Sequence, residues 1–337
     1  MARRDEVLEL LRPPAHRGPL IAAGAVLFTV GIVLEELRLD DELPLWLHLV
    51  ITAAAAALIY GIGVQAAPEG GRPAAYQSVL LVSGLVLLEW SLLSLADLLT
   101  DGPGELGPGT LVWTSLLLCG AALYPAIRRN SAICTMIAAV AAGVAVIAAA
   151  DKLFGFESQT PYRWLLLVLA LLFVLASLVL RGGNPRHAEL MVITAGLATF
   201  AIVVLATAAL LLGAVSPFGD GADGGESVLP GFWELIVLGA GCGLIAYGAV
   251  DRVPGAAWLG VAHLLGFIIV ASAAAEETLL WWPLILLALG GGAMAAGLRP
   301  RQPLPPEPAG YSVERPLASR SEEETMVRVR NDDPPPR

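Results

Sequence analysis

The chain has 337 residues, of which 56% are hydrophobic and only 15% charged, and its mean hydropathy is +0.72. A soluble fold of that length needs far more charge to cover its surface, so the composition points to an all-α, polytopic transmembrane helix bundle with the lipid bilayer as its solvent. The formal net charge of -10, from 20 basic and 30 acidic residues, leaves no surplus of cations for phosphates and argues against a nucleic-acid partner.

Residues 1–18 read as a cytoplasmic N-terminal segment. Arg3 and Arg4 are followed by Asp5 and Glu6 rather than by an apolar export segment, so they do not form a twin-arginine signal. The first apolar block then runs into Glu35 and Glu36 with no small-residue cleavage site and is expected to stay in the membrane. Blocks long enough to cross roughly 30 Å of hydrocarbon at about 1.5 Å per residue cover approximately 20–37, 45–64, 76–99, 110–127, 131–150, 164–180, 190–215, 231–250, 256–275 and 278–298. Ten spans are therefore expected in a transmembrane domain over 19–299. Beyond Leu298 come nine of the 24 prolines and seven arginines, and the segment 300–337 reads as a disordered cytoplasmic tail. Within it Thr325 follows three glutamates, a candidate phosphosite through which the tail would dock a cytoplasmic protein.

Lysine and arginine positions give the orientation. With the N-terminus in the cytoplasm, 17 of the 20 basic residues fall inside and only Arg38, Lys152 and Arg163 outside. One helix too many or too few scrambles that alternation. Both termini are expected in the cytoplasm, in the plasma (inner) membrane of a bacterium, since Lys152 is the one lysine among so many arginines and suggests GC-rich coding.

Glu89 lies thirteen positions into the third span, where an ionised side chain costs roughly 2.5 to 3.5 kcal/mol against lipid. It is expected to face protein or water, either as a proton-coupling carboxyl or as a hydrogen-bonded structural one. His263, about 11 Å into the ninth span at 1.5 Å per residue, either relays protons and pairs with Glu89 or rests neutral on a neighbouring carbonyl. Asp97 and Glu234, nearer the outer surface, complete the candidate path.

Gly290, Gly291 and Gly292 interrupt the tenth span as a helix break or a close-packing face. Gly239 and Gly243, four apart in the eighth, predict a close helix contact, as do Ala53, Ala57 and Gly61 in the second. Cys119, Cys134 and Cys242 are isolated, and no nucleophile–base pair, phosphate loop or metal-ligand spacing occurs, so no catalytic residue, metal or cofactor is assigned.

Divided between the fifth and sixth spans, the halves start their segments at lags of 144, 145, 155, 146 and 147 residues. An odd helix count per half inverts the second half, so this spacing predicts a 5+5 inverted repeat. Two functions fit the whole pattern. One is secondary transport of a small solute, coupled to protons through Glu89 and His263. The other is a non-transporting scaffold that recruits cytoplasmic partners through the tail.

Overall fold

The computed structural model describes residues 18–39, 44–66, 73–99, 107–215 and 231–273, without the side chains of 35–39, 209–215 and 272–273. Among these residues the chain is helical throughout: α1 (Gly18–Leu39), α2 (Leu45–Gln65), α3 (Ala75–Leu99), α4 (Pro108–Arg128), α5 (Ala132–Phe154), α6 (Gln159–Leu180), α7 (Pro185–Val215), α8 (Gly231–Val250) and α9 (Pro254–Ala273). They correspond to the first nine apolar blocks. The tenth block, the N-terminal segment, the tail, Gly290 to Gly292 and Thr325 lie outside the described residues. Every described helix belongs to one compact unit.

Local chemistry sets the boundaries. Pro44 precedes α2 in extended backbone, and Pro108, Pro185 and Pro254 open α4, α7 and α9, where a missing N–H costs no hydrogen bond. Gly155, at φ 59°, caps α5 in the left-handed conformation that glycine adopts without strain. Eight of the helices, α2 to α9, are long and apolar enough to span a bilayer; the apolar stretch of α1 covers Gly18–Leu34. In hydrocarbon every backbone polar group needs an internal partner, which a helix supplies by itself. The chain is thus a polytopic helical membrane protein.

Four tight antiparallel pairs dominate the packing: α2 with α3, α4 with α5, α6 with α7, and α8 with α9. Further contacts join α1 to α3, α5 to α7, α3 to α4 and α7 to α8. This pattern does not follow the expected interval of five helices. It recurs at an interval of four, with α1 to α5 taking the places of α5 to α9.

Two other features follow the same interval. The α4–α5 and α8–α9 turns are both three residues long, and the middle residue of each, Asn130 at φ 53° and Arg252 at φ 57°, has positive φ; no other non-glycine among the described residues does. The sequences agree as well. Cys119 to Arg129 matches Cys242 to Arg252 at five of eleven positions, Pro73, Gly84 and Leu85 match Pro185, Gly196 and Leu197, and Trp46 to Val50 matches Trp164 to Val168 at four of five. Beyond the described helices, Trp282 to Leu289 matches Trp164 to Leu171 at five of eight. An even number of helices per repeat leaves both copies with the same orientation. Among the described helices the contacts follow this four-helix interval.

Polar side chains tie the ends of helices together. On one face Asn130 Oδ1 lies 2.8 Å from His187 Nε2 and Thr135 Oγ1 2.7 Å from His187 Nδ1, so the α4–α5 turn is fastened to the start of α7. On the opposite face the Tyr162 hydroxyl donates to Asp151 at 2.7 Å, closing the α5–α6 turn, and Trp164, Phe232 and Trp233 pack in tilted and edge-to-face pairs with centroids 5.0 to 5.7 Å apart.

Candidate functional site

A cavity of about 650 Å³ lies between α6, α7 and α8. Its walls follow helical spacing: Ala170, Val174 and Ser177 from α6, Ala188, Val192 and Gly196 from α7, and Ala240, Gly243 and Tyr247 from α8. From Leu167 to Arg181 it extends fourteen residues along α6, about 21 Å at 1.5 Å per residue. That is longer than one leaflet of a hydrocarbon core roughly 30 Å thick. Leu171, Val174 and Leu178 are exposed, so among the described residues the space is a groove open along its α6 side. Its length is apolar except for Ser177 and Thr199. One end is charged: Arg181 donates to Asp251 at 3.1 Å, with Glu189 and Tyr247 beside them.

The groove exists because of a difference between the two copies. In the first, Tyr60 of α2 crosses to α4, where its hydroxyl donates to the Ala121 carbonyl at 2.7 Å. It rests on Gly84 of α3, at which any Cβ would come within 2.8 Å of the Tyr60 backbone. In the second copy the aligned counterparts of Gly84, Ala121 and Tyr60 are Gly196, Leu244 and Leu178. All three line the open groove. A tyrosine bridges α2 and α4 in the first copy; the leucine in its place leaves the second one open.

His263 is sealed, with no exposed surface. Its Nδ1 lies 2.8 Å from the Leu259 carbonyl and Nε2 2.9 Å from Thr199 Oγ1, and Phe200 packs on the ring at 5.2 Å. Since a carbonyl only accepts, Nδ1 carries the hydrogen. The ring is thus bonded to a neighbouring carbonyl, and Thr199, which it also contacts, lines the groove.

Glu89 is half-buried on α3, and among the described residues its Oε2 has no hydrogen-bond partner. It does not pair with His263: both ring nitrogens of the histidine are engaged elsewhere, and α9 packs on α7 and α8 while α3 packs on α1, α2, α4 and α5. Asp97 stands near the end of α3, half-buried. Glu234 is buried in the first turn of α8, where the helix dipole favours a carboxylate. Neither lines the groove.

The glycine expectation needs correction. A Cβ at Gly239 or Gly243 would meet nothing within 4 Å, whereas at Gly241 and Gly248 it would run into His263 and Ala257 of α9. Gly260 approaches Gly241 from the other side, so α8 meets α9 through a different stripe from the one expected. Likewise α2 buries Thr52, Ala55, Ala56, Ile59 and Gly63 rather than Ala53, Ala57 and Gly61. Gln77, fully buried, was not singled out from the sequence; its Nε2 donates to the Gly63 and Ala66 carbonyls and caps α2. A glutamine at the start of an apolar block is the signal that pointed to it.

Most membrane-embedded hydroxyls are consumed inside their own helices, as Thr52 on the His48 carbonyl, Thr194 on Leu190 and Thr207 on Val203 illustrate. No group of three metal-ligating side chains forms among the described residues. Comparison with family models, curated proteins and solved structures found no match.

Proposed function

We propose that this polytopic membrane protein is a secondary transporter whose solute has an apolar body and a charged end, and that the α6–α8 groove is where the solute binds. The groove carries the reading, since a cavity of about 650 Å³ is within the usual range of ligand sites. Parallel repeats about a membrane-normal axis are a recurrent transporter plan, which supports it further.

The test uses liposomes containing the whole chain and two fluorescent amphipaths, ethidium and a short-chain labelled phosphatidylethanolamine. The protein is expected to move at least one of them across the bilayer. Gly243→Phe, which fills open space without a clash, should reduce that flux to a tenth or less. Rates no higher than in protein-free liposomes for both probes overturn the reading.

Proton coupling is assigned to Glu89, on the strength of its unpartnered buried oxygen. Glu89→Gln keeps the shape and removes the titration, so flux should stop responding to an imposed pH gradient while persisting without one. A gradient response equal to the wild type's would move the coupling elsewhere.

The arginine count supports an orientation with the Arg181 end of the groove and both termini in the cytoplasm. A cysteine introduced at Gly183 of a cysteine-free variant should resist an impermeant thiol reagent added outside intact cells and react once they are opened. Labelling from outside reverses the orientation.

A further inference from the structure

The geometry points to a phospholipid with a primary ammonium in its headgroup, drawn from the leaflet at the Arg181 end, as the molecule that occupies the α6–α8 groove. The inference rests on the groove being the solute's binding place and identifies the class of solute.

Shape supplies the first argument. A water-soluble solute needs polar groups along its whole path, yet apart from Ser177 and Thr199 this groove is apolar up to its charged end at Arg181. Its polar groups are concentrated at one end. It also opens sideways past Val174 and Leu178, both exposed among the described residues, so a chain can slide in without leaving hydrocarbon. Only a molecule that is long, apolar and polar at one tip matches both features.

Charge chooses the headgroup. The rim holds one guanidinium, Arg181, and two carboxylates, Asp251 and Glu189. One positive and two negative charges leave a net charge of -1. An anionic headgroup could use Arg181 only by bringing its own charge up to both carboxylates. A headgroup with phosphate and ammonium satisfies the whole set: the phosphate takes donors from Arg181, and the ammonium donates to the carboxylates. A quaternary ammonium carries the same charge but has no N–H to donate, so a primary amine is preferred. Arg181 and Asp251 already hold each other at 3.1 Å and are therefore positioned to act together.

The first copy shows what an occupied groove resembles. Tyr60, whose backbone lies against Gly84, sends an apolar ring with a polar tip across to the Ala121 carbonyl. In the second copy the aligned residue is Leu178, which lines the open groove and has no polar tip.

The test measures binding, not flux. The whole chain is placed in phosphatidylcholine nanodiscs containing a trace of phosphatidylethanolamine with a photoactivatable acyl chain, and crosslinked peptides are mapped. Adducts should concentrate on the groove faces of α6, α7 and α8. Unlabelled phosphatidylethanolamine should compete at least fivefold better than phosphatidylglycerol.

Leu178→Tyr, which transplants the plug of the first copy, should reduce groove adducts to a tenth, as should Gly243→Phe. The double variant Asp251→Asn, Glu189→Gln should abolish the preference for the amine while keeping the adducts. Adducts spread evenly over all lipid-facing helices, or equal competition by phosphatidylglycerol, overturn the proposal. Groove adducts without flux of any amphipath keep the lipid site and remove the transport reading. Ethidium flux blocked by Gly243→Phe, without groove adducts, does the reverse.

Discussion

Gly248→Leu should destabilise the protein by about 3 kcal/mol, the upper end of the cost of overpacking a filled interface. At Gly248 a Cβ would lie 2.7 Å from the Ala257 nitrogen, 2.8 Å from the Ala257 Cβ and 2.9 Å from the Val253 oxygen. Two of those atoms are backbone, so no rotamer change relieves the contact, and α8 must move away from α9. That separation also weakens the approach of Gly241 to Gly260, because both contacts belong to one interface. Gly243→Leu is the control: the same chemical change, five residues away on the same helix, meets open space and gains roughly 1 kcal/mol of helix propensity. Reversible unfolding in mixed detergent micelles, followed by circular dichroism, compares the two. Equal losses at both positions would mean that the α8 face toward α9 is wrongly assigned.

Tyr60→Leu should cost about 2 to 3 kcal/mol and create a second groove. The loss combines a hydrogen bond, at about 1 kcal/mol, with part of the volume of a ring that links α2 to α4. Leucine is too short to reach Ala121 from α2. The result should resemble the second copy, with Gly84 as its floor, and acyl-chain adducts should appear on α2, α3 and α4 that the wild type lacks. Tyr60→Phe removes only the hydroxyl; it should cost about 1 kcal/mol and open nothing. If Tyr60→Leu yields no new adducts while remaining folded, the tyrosine is not what closes the first copy, and the comparison between copies loses its physical basis.

Both outcomes depend on packing of small residues, the part of the molecule that one-dimensional patterns convey least. His263 and Glu89 stood out because charge and imidazole are rare in hydrocarbon, yet rarity says nothing about which helices meet. His263 proved to be a strut between α9 and α7. Arg181 entered the sequence reading only as a charge to be counted, and Asp251 not at all. Their importance comes from meeting across seventy residues of chain. Gly196 and Gly84 carried a detectable signal, the matched Gly-Leu pairs after matched prolines, but an interval of four helices had to be known before it could be aligned.

The linear chain, then, was sufficient to determine the solvent and the class of fold. It also determined the ends of nine helices to within a few residues, because apolar blocks of bilayer length, prolines at helix starts and a glycine cap are local features that act wherever they occur. Which face of each helix is buried was decided in three dimensions. Lipid tails are as apolar as leucine, so burial leaves no amphipathic stripe to read, and the choice falls to van der Waals fit between small residues. That fit put Gly241 and Gly248 against α9 instead of Gly239 and Gly243. It also produced a four-helix interval where an interval of five was expected, and left a groove in the one copy that lacks its tyrosine.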